Sequence, residues 1–215
     1  MNFFDYLSAN SGRITHLFAQ HVQVVLISVG LATAISILFA VATEHLPRTR
    51  SITLSVTGTI LTIPSFALFG LMIPVFGLGV TPTILALTVY AVFPILRNAV
   101  TGLESVDSSV VDAARGMGMG SRQRLWRIRL PLAWPVILNG IRVATIMVVA
   151  IAAIGAAVRG PGLGELIFRG LSRIGGANAL NEALAGVLAI VAVAAVLDVF
   201  FIVLGRITTP RGLHV

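Results

Sequence analysis

Residues 112–131, DAARGMGMGSRQRLWRIRLP, form a long polar and arginine-rich interruption between apolar blocks of the chain. This stretch predicts two short helices joined by a bend. Asp107, Ser108 and Ser109 precede the first helix with side-chain oxygens that are suited to capping its free N–H groups. We therefore expect the first helix to begin at this cap and to run through Ala114 toward the glycines that follow.

Glycine and methionine alternate after the first predicted helix. Gly116, Gly118 and Gly120 permit backbone angles that other residues resist, so they predict the end of that helix. Ser121 is placed to cap a second helix, which Pro131 is expected to stop. Two helices joined by glycine and flexible methionine suit docking into a groove on another protein, and an amphipathic loop bound to lipid headgroups is the alternative interpretation.

Apolar residues dominate the composition. Of the 215 residues, 57% are hydrophobic and 11% are charged, a balance far too apolar for a soluble domain of this length. The composition therefore predicts an all-α integral membrane protein with a single domain, residues 1–215, embedded in the lipid bilayer. The sequence contains no cysteine, which excludes disulfides and thiol chemistry, and its histidines and carboxylates predict neither a metal site nor a catalytic residue.

The basic residues are fifteen arginines, with no lysine. The formal charge of +7 lies beside apolar spans, which favours lipid headgroups rather than nucleic acid as partners. A phosphate-binding Walker A loop requires a lysine, so this chain does not carry one. We therefore expect no cofactor on this chain, and any ATP and Mg²⁺ to be bound by a separate ATPase.

Uncharged stretches long enough to cross a bilayer recur along the chain. They predict five transmembrane helices, at about residues 22–43, 51–73, 81–100, 135–157 and 183–204. The chain before the first span is expected to form a short interfacial helix with His16 and His21 at the water boundary. A polar loop at 104–133 and an outer connector at 158–182 complete the predicted domain.

Arginine is distributed unevenly across the predicted membrane. The side that includes the polar loop holds ten arginines and the opposite side holds four. Because positive residues favour the cytoplasmic side, we expect the polar loop and the C-terminus in the cytoplasm and the N-terminus outside. The chain is expected to be a multi-pass protein of the cell, or inner, membrane.

The polar loop is also similar to the coupling loop of permeases from ATP-binding cassette (ABC) importers. The match consists of Asp112-Ala113-Ala114, then Gly118 after three residues, then Ile128-x-Leu130-Pro131 after nine more. The family pattern begins with Glu, and Asp112 keeps its charge. The resemblance implies a type I importer permease fold in which a cytoplasmic coupling helix sits in a cleft of the ATPase. The residues that it assigns to ATPase coupling are Asp112, Ala113, Ala114, Arg115, Gly116, Met117, Gly118, Met119, Gly120, Ile128, Leu130 and Pro131.

The same resemblance implies the partners of the chain. A type I importer contains two permeases, an ATPase dimer and an extracytoplasmic substrate-binding protein, and the second permease is either an identical copy or a paralogue. The string GPGLG at residues 160–164 is similar to the outer loop of the family, which belongs to the surface that meets the binding protein. Glu165 and Arg169, four residues apart on a short amphipathic helix, are expected to pair.

Three segments narrow the resemblance to permeases for glycine betaine, choline, carnitine and related osmoprotectants. These segments are residues 62–79, 90–107 and 113–142. Quaternary amines are held by aromatic cages, but Trp126 and Trp134 both lie at the predicted cytoplasmic face. We therefore expect selectivity to reside in the binding protein and the permease to work by alternating access. The alternative is an ion-coupled secondary transporter or a channel subunit, which would need titratable groups along the passage.

Two prolines interrupt the predicted spans. Pro64, which is followed by Ser65 and Phe66, lies in the second span, and Pro94 lies in the third. Each proline removes a backbone hydrogen bond and so permits a helix to bend and expose a carbonyl group. These four residues are candidates for the translocation pathway or its gate, and a kink that only shapes packing is the alternative.

Arg142 and Asp198 lie inside the fourth and fifth predicted spans. Counted from the same end of the bundle, their depths are similar. Because a lone charge in lipid costs several kcal/mol, we predict an intramembrane ion pair between them, with Arg97 as the competing partner of Asp198. The alternative is that Arg142 extends to the lipid headgroups.

Overall fold

Every regular element is helical in residues 1–209, the part of the chain that the computed structural model describes. The first half contains α1 (Phe3–Ala9), α2 (Ser11–Ala42), α3 (Pro47–Leu61), α4 (Ser65–Phe76) and α5 (Val80–Glu104). The second half contains α6 (Ser108–Gly116), α7 (Ser121–Arg124), a π-helical turn (Leu125–Arg129), α8 (Leu130–Ala152), a 3₁₀ segment (Ala153–Val158), α9 (Gly164–Leu171) and α10 (Ala179–Thr208). The all-α architecture agrees with the sequence prediction.

Four helical segments of the described chain are long and apolar enough to cross a membrane. They are Ser11–Ala42, Val80–Glu104, Ser121–Val158 and Ala179–Thr208. A fifth crossing results if α3 and α4 together count as one span, and these two helices are bent by 98° relative to each other. The five predicted spans thus correspond to four continuous helices and one broken pair.

The bend between α3 and α4 differs from the straight crossing expected at 51–73. Pro64 has no N–H to donate and disfavours helical angles in the residue before it, so α3 ends at Leu61 and α4 begins at Ser65. The break leaves backbone carbonyl groups without helical partners. One of them, that of Ile63, accepts a hydrogen bond of 2.6 Å from the Tyr90 hydroxyl on α5. The bend is therefore held in place by the neighbouring helix.

The beginning of the first span also differs from the prediction. α2 runs without interruption over 32 residues from Ser11, so the expected separate interfacial helix is limited to α1. His21 does not lie at the water boundary: its side chain is completely buried, and its Nε2 lies 3.1 Å from the Val149 carbonyl oxygen on α8. The packing of α2 against α8 accounts for this burial, because it encloses the imidazole between two helices.

The centre of the bundle is the contact between α5 and α8, with α2 packed against both. Small residues let these helices approach closely, as is usual in membrane bundles. A Cβ atom added to Gly140 on α8 would lie 2.5 Å from the Asn98 Cβ and 3.1 Å from the Pro94 carbonyl oxygen on α5. Pro94 itself lies within the uninterrupted helix α5, so it does not break the third span.

We expect Gly140→Ala to destabilise the bundle by about 1–3 kcal/mol, because the added methyl group forces α5 and α8 apart. Gly30→Ala on α2 is the matched control, since a Cβ there meets nothing within 4 Å. The midpoint of thermal unfolding in detergent should fall for the first variant and stay constant or rise for the second. Equal midpoints would contradict this account of the α5–α8 contact.

The connector at residues 158–182 is tied to the bundle by a network of charged side chains. Arg13 on α2 contacts Glu165 on α9 at 2.8 Å and Glu182 on α10 at 3.1 Å. Arg169 Nε lies 3.4 Å from the same Glu182 oxygen. The predicted pair between Glu165 and Arg169 is therefore replaced by contacts between helices, since Arg13 and Glu182 offer partners from neighbouring elements.

Candidate functional site: the coupling loop

The first helix of the polar loop, α6, begins with a side-chain cap. Asp107 Oδ1 accepts a hydrogen bond of 2.8 Å from the Ser109 backbone N–H. Bonds from the backbone N–H and the hydroxyl group of Ser109 hold the pKa of the Asp107 carboxyl below its ordinary value. An ionised carboxylate at this position also complements the positive end of the helix dipole.

The end of α6 depends on Gly118. The Met119 N–H donates to the Ala114 carbonyl at 3.1 Å and the Gly118 N–H donates to the Arg115 carbonyl at 2.9 Å, which together form a Schellman motif. This motif requires a left-handed residue, and Gly118 has a φ of +83°. Gly120, by contrast, has a φ of −65° and a ψ of 161°, which any residue adopts. Only one of the three predicted turn glycines therefore needs to be glycine for backbone reasons.

α6 extends into solvent. Asp112, Ala113 and Arg115 are exposed, and Met117 at the helix end exposes 72% of its surface. Ala114 is the one buried residue of the helix, with 1% exposure. An amphipathic helix that buries so little of itself is available to another protein.

Arg124 holds the bend after α6, which we call the elbow (residues 117–120). Its Nη1 donates to the Met119 carbonyl at 2.6 Å and its Nη2 donates to the Ser121 hydroxyl at 3.2 Å. The Ser121 side chain thus accepts from an arginine and does not cap the second helix. The N-cap position falls on Gly120, which has no side chain to make such a bond.

Pro131 does not stop the second helix, contrary to the prediction. The chain continues as a helix from α7 through the π-helical turn into α8. At that turn the Leu130 N–H donates to the Leu125 carbonyl, five residues back, so the hydrogen-bond register shifts just before the proline. Pro131 follows directly after this shift of register, so the continuous helix accommodates its missing N–H at the π-helical turn.

Four charged residues join the polar loop to the neighbouring ends of the spans, and we call them the clamp (Glu44, Arg50, Glu104 and Arg129). Arg129, in the π-helical turn, pairs with Glu44 between α2 and α3 and donates to the Leu103 carbonyl of α5 at 3.0 Å. Arg50 of α3 pairs with Glu104 at the end of α5 at 2.7 Å. These contacts therefore join the polar loop to α2, α3, α5 and α8.

The candidate pathway residues lie at the bend of the broken span. Pro64 and Phe66 are exposed, Phe66 by 64%, and Ser65 is half-buried at the start of α4. α3, which leads to this bend, has no buried residue. Its threonine hydroxyls bond to carbonyls of their own helix, as in Thr57 to Thr53 at 2.8 Å. Pro94 does not lie at this bend. It is half-buried on the face of α5 that packs against Gly140 of α8.

Arg142 and Asp198 are brought together between α8 and α10. Arg142 Nε lies 2.6 Å from Asp198 Oδ1, and Nη2 lies 2.8 Å from Oδ2, a bidentate arrangement. Arg97 makes no ion pair within residues 1–209. The two fixed N–H···O bonds leave Arg142 held inside the bundle and not extended to the headgroups.

Comparison with known proteins decides the family. The family described as "Binding-protein-dependent transport system inner membrane component" matches residues 27–212. This chain belongs to that family. The permease is accordingly a multi-pass inner-membrane subunit of an ABC importer, and the family is a component of a transport system.

Two curated relatives are similar to the permease over nearly its whole length. The osmoprotectant import permease protein OsmW of Salmonella typhimurium is 37% identical and is covered completely, as is this chain. The glycine betaine/carnitine/choline transport system permease protein OpuCB of Bacillus subtilis is 30% identical, over 97% of this chain and 94% of that protein. Both relatives have the names of osmoprotectant permeases, the class that the segments 62–79, 90–107 and 113–142 indicate.

A solved structure supports the fold of the permease. The MetNI methionine ABC transporter, in inward-facing conformations, matches with a TM-score of 0.78 and 23% identity over 92% of this chain and 96% of that one. The matches are to ABC transporter permeases, so a secondary transporter or a channel subunit is not supported as the alternative.

Among the described residues, no group of three or more His, Asp or Glu side chains is placed to hold a metal ion.

The sequence did not identify the clamp or the hydroxyl group that supports the bend. Glu44, Arg50 and Glu104 carry no motif, and their partners are separated by up to 85 residues, as in Glu44 and Arg129. Tyr90 is the only tyrosine in the predicted spans, which is the one sequence signal that singles it out. An isolated polar group in an apolar span predicts a buried partner, and here the partner is the Ile63 carbonyl.

Proposed function

We propose that α6 docks in a cleft of a partner ATPase and couples ATP hydrolysis to transport. The observation that carries this proposal is that α6 is exposed and ends in a Schellman motif at Gly118. The loop that contains α6 is joined by the clamp to α2, α3, α5 and α8. Ala113, Arg115 and Met117 would contact the ATPase, because they are exposed on or beside α6. Ala114, Ile128 and Leu130 would support the loop from the permease side, since they are buried or half-buried.

The mechanism is alternating access. When ATP closes the ATPase dimer, the cleft moves and displaces α6. Arg129 then transmits the displacement to the α2–α3 corner through Glu44 and to α5 through the Leu103 carbonyl. The bend at Pro64 between α3 and α4 would change its angle as these helix ends move, because a broken helix flexes more easily than a continuous one.

The remaining partners follow from the same family. ATP and Mg²⁺ would bind to the ATPase dimer, an extracytoplasmic binding protein would deliver the substrate, and a second permease, identical or paralogous, would complete the passage. The proposal puts the loop and the C-terminus in the cytoplasm and the N-terminus outside. The arginine distribution supports that orientation, since most arginines flank the loop side.

We further propose an osmoprotectant of the glycine betaine, choline or carnitine class as the substrate. The names of the relatives support it, and both of those described above match over nearly the full chain. A low-affinity passage suits this chain, because Trp126 and Trp134 both lie near the loop end of the bundle and do not form an aromatic cage in the middle of the spans.

Uptake by the reconstituted transporter tests both proposals. The permease, its ATPase and its binding protein are assembled in proteoliposomes, with ATP inside the vesicles. Labelled glycine betaine, choline and carnitine should enter in an ATP-dependent manner that vanadate blocks, while labelled methionine should not. Uptake of methionine alone would contradict the substrate, and uptake without ATP would contradict the coupling.

We expect the clamp to connect ATP hydrolysis to uptake. Arg129→Gln removes the pair with Glu44 and weakens the bond to the Leu103 carbonyl, so the substrate transported per ATP should fall several-fold while ATP hydrolysis continues. Hydrogen bonds to charged groups contribute about 1.5–3 kcal/mol, which is large enough for this effect.

Arg122→Gln is the matched control for the clamp, since Arg122 is an exposed arginine of the same loop that makes no ion pair within residues 1–209. Glu44→Gln should reproduce the defect of Arg129→Gln, and the double variant should be no worse than either single one. Additive defects would show that the two side chains act separately.

A further inference from the structure

A groove between α8 and α10 is the strongest feature that the transport mechanism does not use. It has a volume of about 280 Å³ and opens at the end of the bundle near the polar loop. Its lining comprises Pro135, Leu138, Asn139, Arg142, Phe201, Ile202, Gly205, Arg206 and Thr209. Two arginines and one amide thus share a groove whose walls are otherwise mainly apolar.

The arginines lie at two depths in the groove. Arg206 is exposed in the last turn of α10, and Asp198, the partner of Arg142, lies eight residues earlier on the same helix. Eight residues of α-helix correspond to about 12 Å. A ligand that satisfies both arginines therefore needs oxygen atoms both at the mouth of the groove and further inside it.

Arg142 retains hydrogen-bonding capacity toward the groove. Its Nε and Nη2 donate to Asp198, and its Nη1 makes no hydrogen bond within residues 1–209. A guanidinium carries five N–H donors, and at membrane depth an unused donor requires an acceptor. Because Asp198 neutralises Arg142, the groove has one net positive charge, that of Arg206.

Trp134 locates the mouth of the groove at the membrane surface. Its indole N–H donates to the Thr208 hydroxyl at 2.8 Å, which joins α8 to the end of α10. Tryptophan is enriched at the level of the lipid headgroups, with one side in the apolar phase. α10 also carries exposed apolar residues, Val199, Val203 and Ile207, which suit contact with acyl chains.

We propose that the groove binds one anionic phospholipid. The phosphate group lies at the mouth beside Arg206 and Asn139, and the glycerol ester oxygens reach Arg142. One acyl chain lies against Leu138, Phe201 and Ile202. The net charge of the groove matches the single negative charge of phosphatidylglycerol, whereas phosphatidylcholine is neutral overall.

Lipid retention by the assembled transporter tests this proposal. The complete complex, in detergent with mixed phosphatidylglycerol and phosphatidylcholine, is examined by native mass spectrometry for lipids that remain bound. Wild type should retain phosphatidylglycerol in preference to phosphatidylcholine. Arg206→Gln should weaken that retention about fivefold, the effect of one basic residue near a membrane surface, and Arg206→Lys should largely preserve it.

Arg173→Gln is the matched control, because it removes an exposed arginine from the opposite end of the bundle. Its lipid retention should equal that of wild type. The proposal is overturned if Arg206→Gln and Arg173→Gln behave alike, or if the two lipids bind equally. Displacement by glycerol 1-phosphate, a soluble anion without acyl chains, would indicate a phosphate site and not a lipid site. Absence of phosphatidylglycerol from the assembled complex would also overturn the proposal.

Discussion

Gly118→Val should abolish uptake while the permease still inserts and folds in the membrane. The φ of +83° at this position is accessible to glycine but strained for a β-branched residue. A Cβ added here meets nothing within 4 Å, so the effect arises from the backbone and not from a collision. The Schellman end of α6 would open, and the helix would no longer meet the ATPase cleft in a fixed orientation.

Gly120→Val is the matched control for this variant. A Cβ on Gly120 also meets nothing within 4 Å, and its backbone angles are those of extended chain. The two variants add the same side chain to the same loop, two residues apart. Uptake and co-purification of the ATPase should be lost for Gly118→Val and largely kept for Gly120→Val. Normal uptake by both variants would show that the elbow has no part in coupling.

The second large effect is expected at the pair of Arg142 and Asp198. Asp198→Asn leaves the Arg142 guanidinium without its carboxylate partner between α8 and α10, which should lower stability, because an unpaired charge at membrane depth is costly. The side chains remain 35% and 28% exposed within this chain, so lipid or water can recover part of this loss. The thermal unfolding midpoint in detergent and the yield of monodisperse protein should both fall.

Removing both charges should repair the defect. The double variant Arg142→Leu and Asp198→Leu replaces the pair by apolar side chains, which is often neutral or stabilising for a pair away from water. Asp5→Asn, an exposed carboxylate in α1, serves as the control and should leave the midpoint unchanged. If the double variant were as unstable as Asp198→Asn, the two charges would have a role beyond neutralising each other.

Features that follow from the lipid solvent were predictable from the sequence. Long uncharged stretches become helices, since a lipid-exposed backbone must satisfy its own hydrogen bonds. Arg142 and Asp198 were predictable partners for a related reason: each is too costly alone, and helix geometry puts them at similar depths. In these cases an unpaired backbone group or an unpaired charge in lipid has a large free-energy penalty, so few other structures compete.

Features that depend on a contact with another helix were not predictable. Pro64 predicts a bend, but the Tyr90 hydroxyl stabilises the carbonyl exposed by the 98° break. Pro131 predicts the end of a helix, yet a π-helical turn shifts the hydrogen bonds and the helix continues. His21 looks interfacial by composition, whereas α8 encloses it. The bend and the burial of His21 depend on partners distant in sequence, which the local pattern does not reveal. The turn before Pro131 is a local shift of the hydrogen-bond register, which the position of the proline alone does not indicate.

The wide turn at Leu125–Arg129 adjusts the rotational phase between two parts of one uninterrupted helix. Each residue of an α-helix changes the facing direction by about 100°, so deleting a single residue from α7, outside the wide turn, would rotate α6 by more than a quarter-circle about the long axis of α8. The crossing itself and Arg129 would keep their positions. Transport would then fail only because α6 meets the ATPase in the wrong orientation. Every docking side chain would still be present and every span intact.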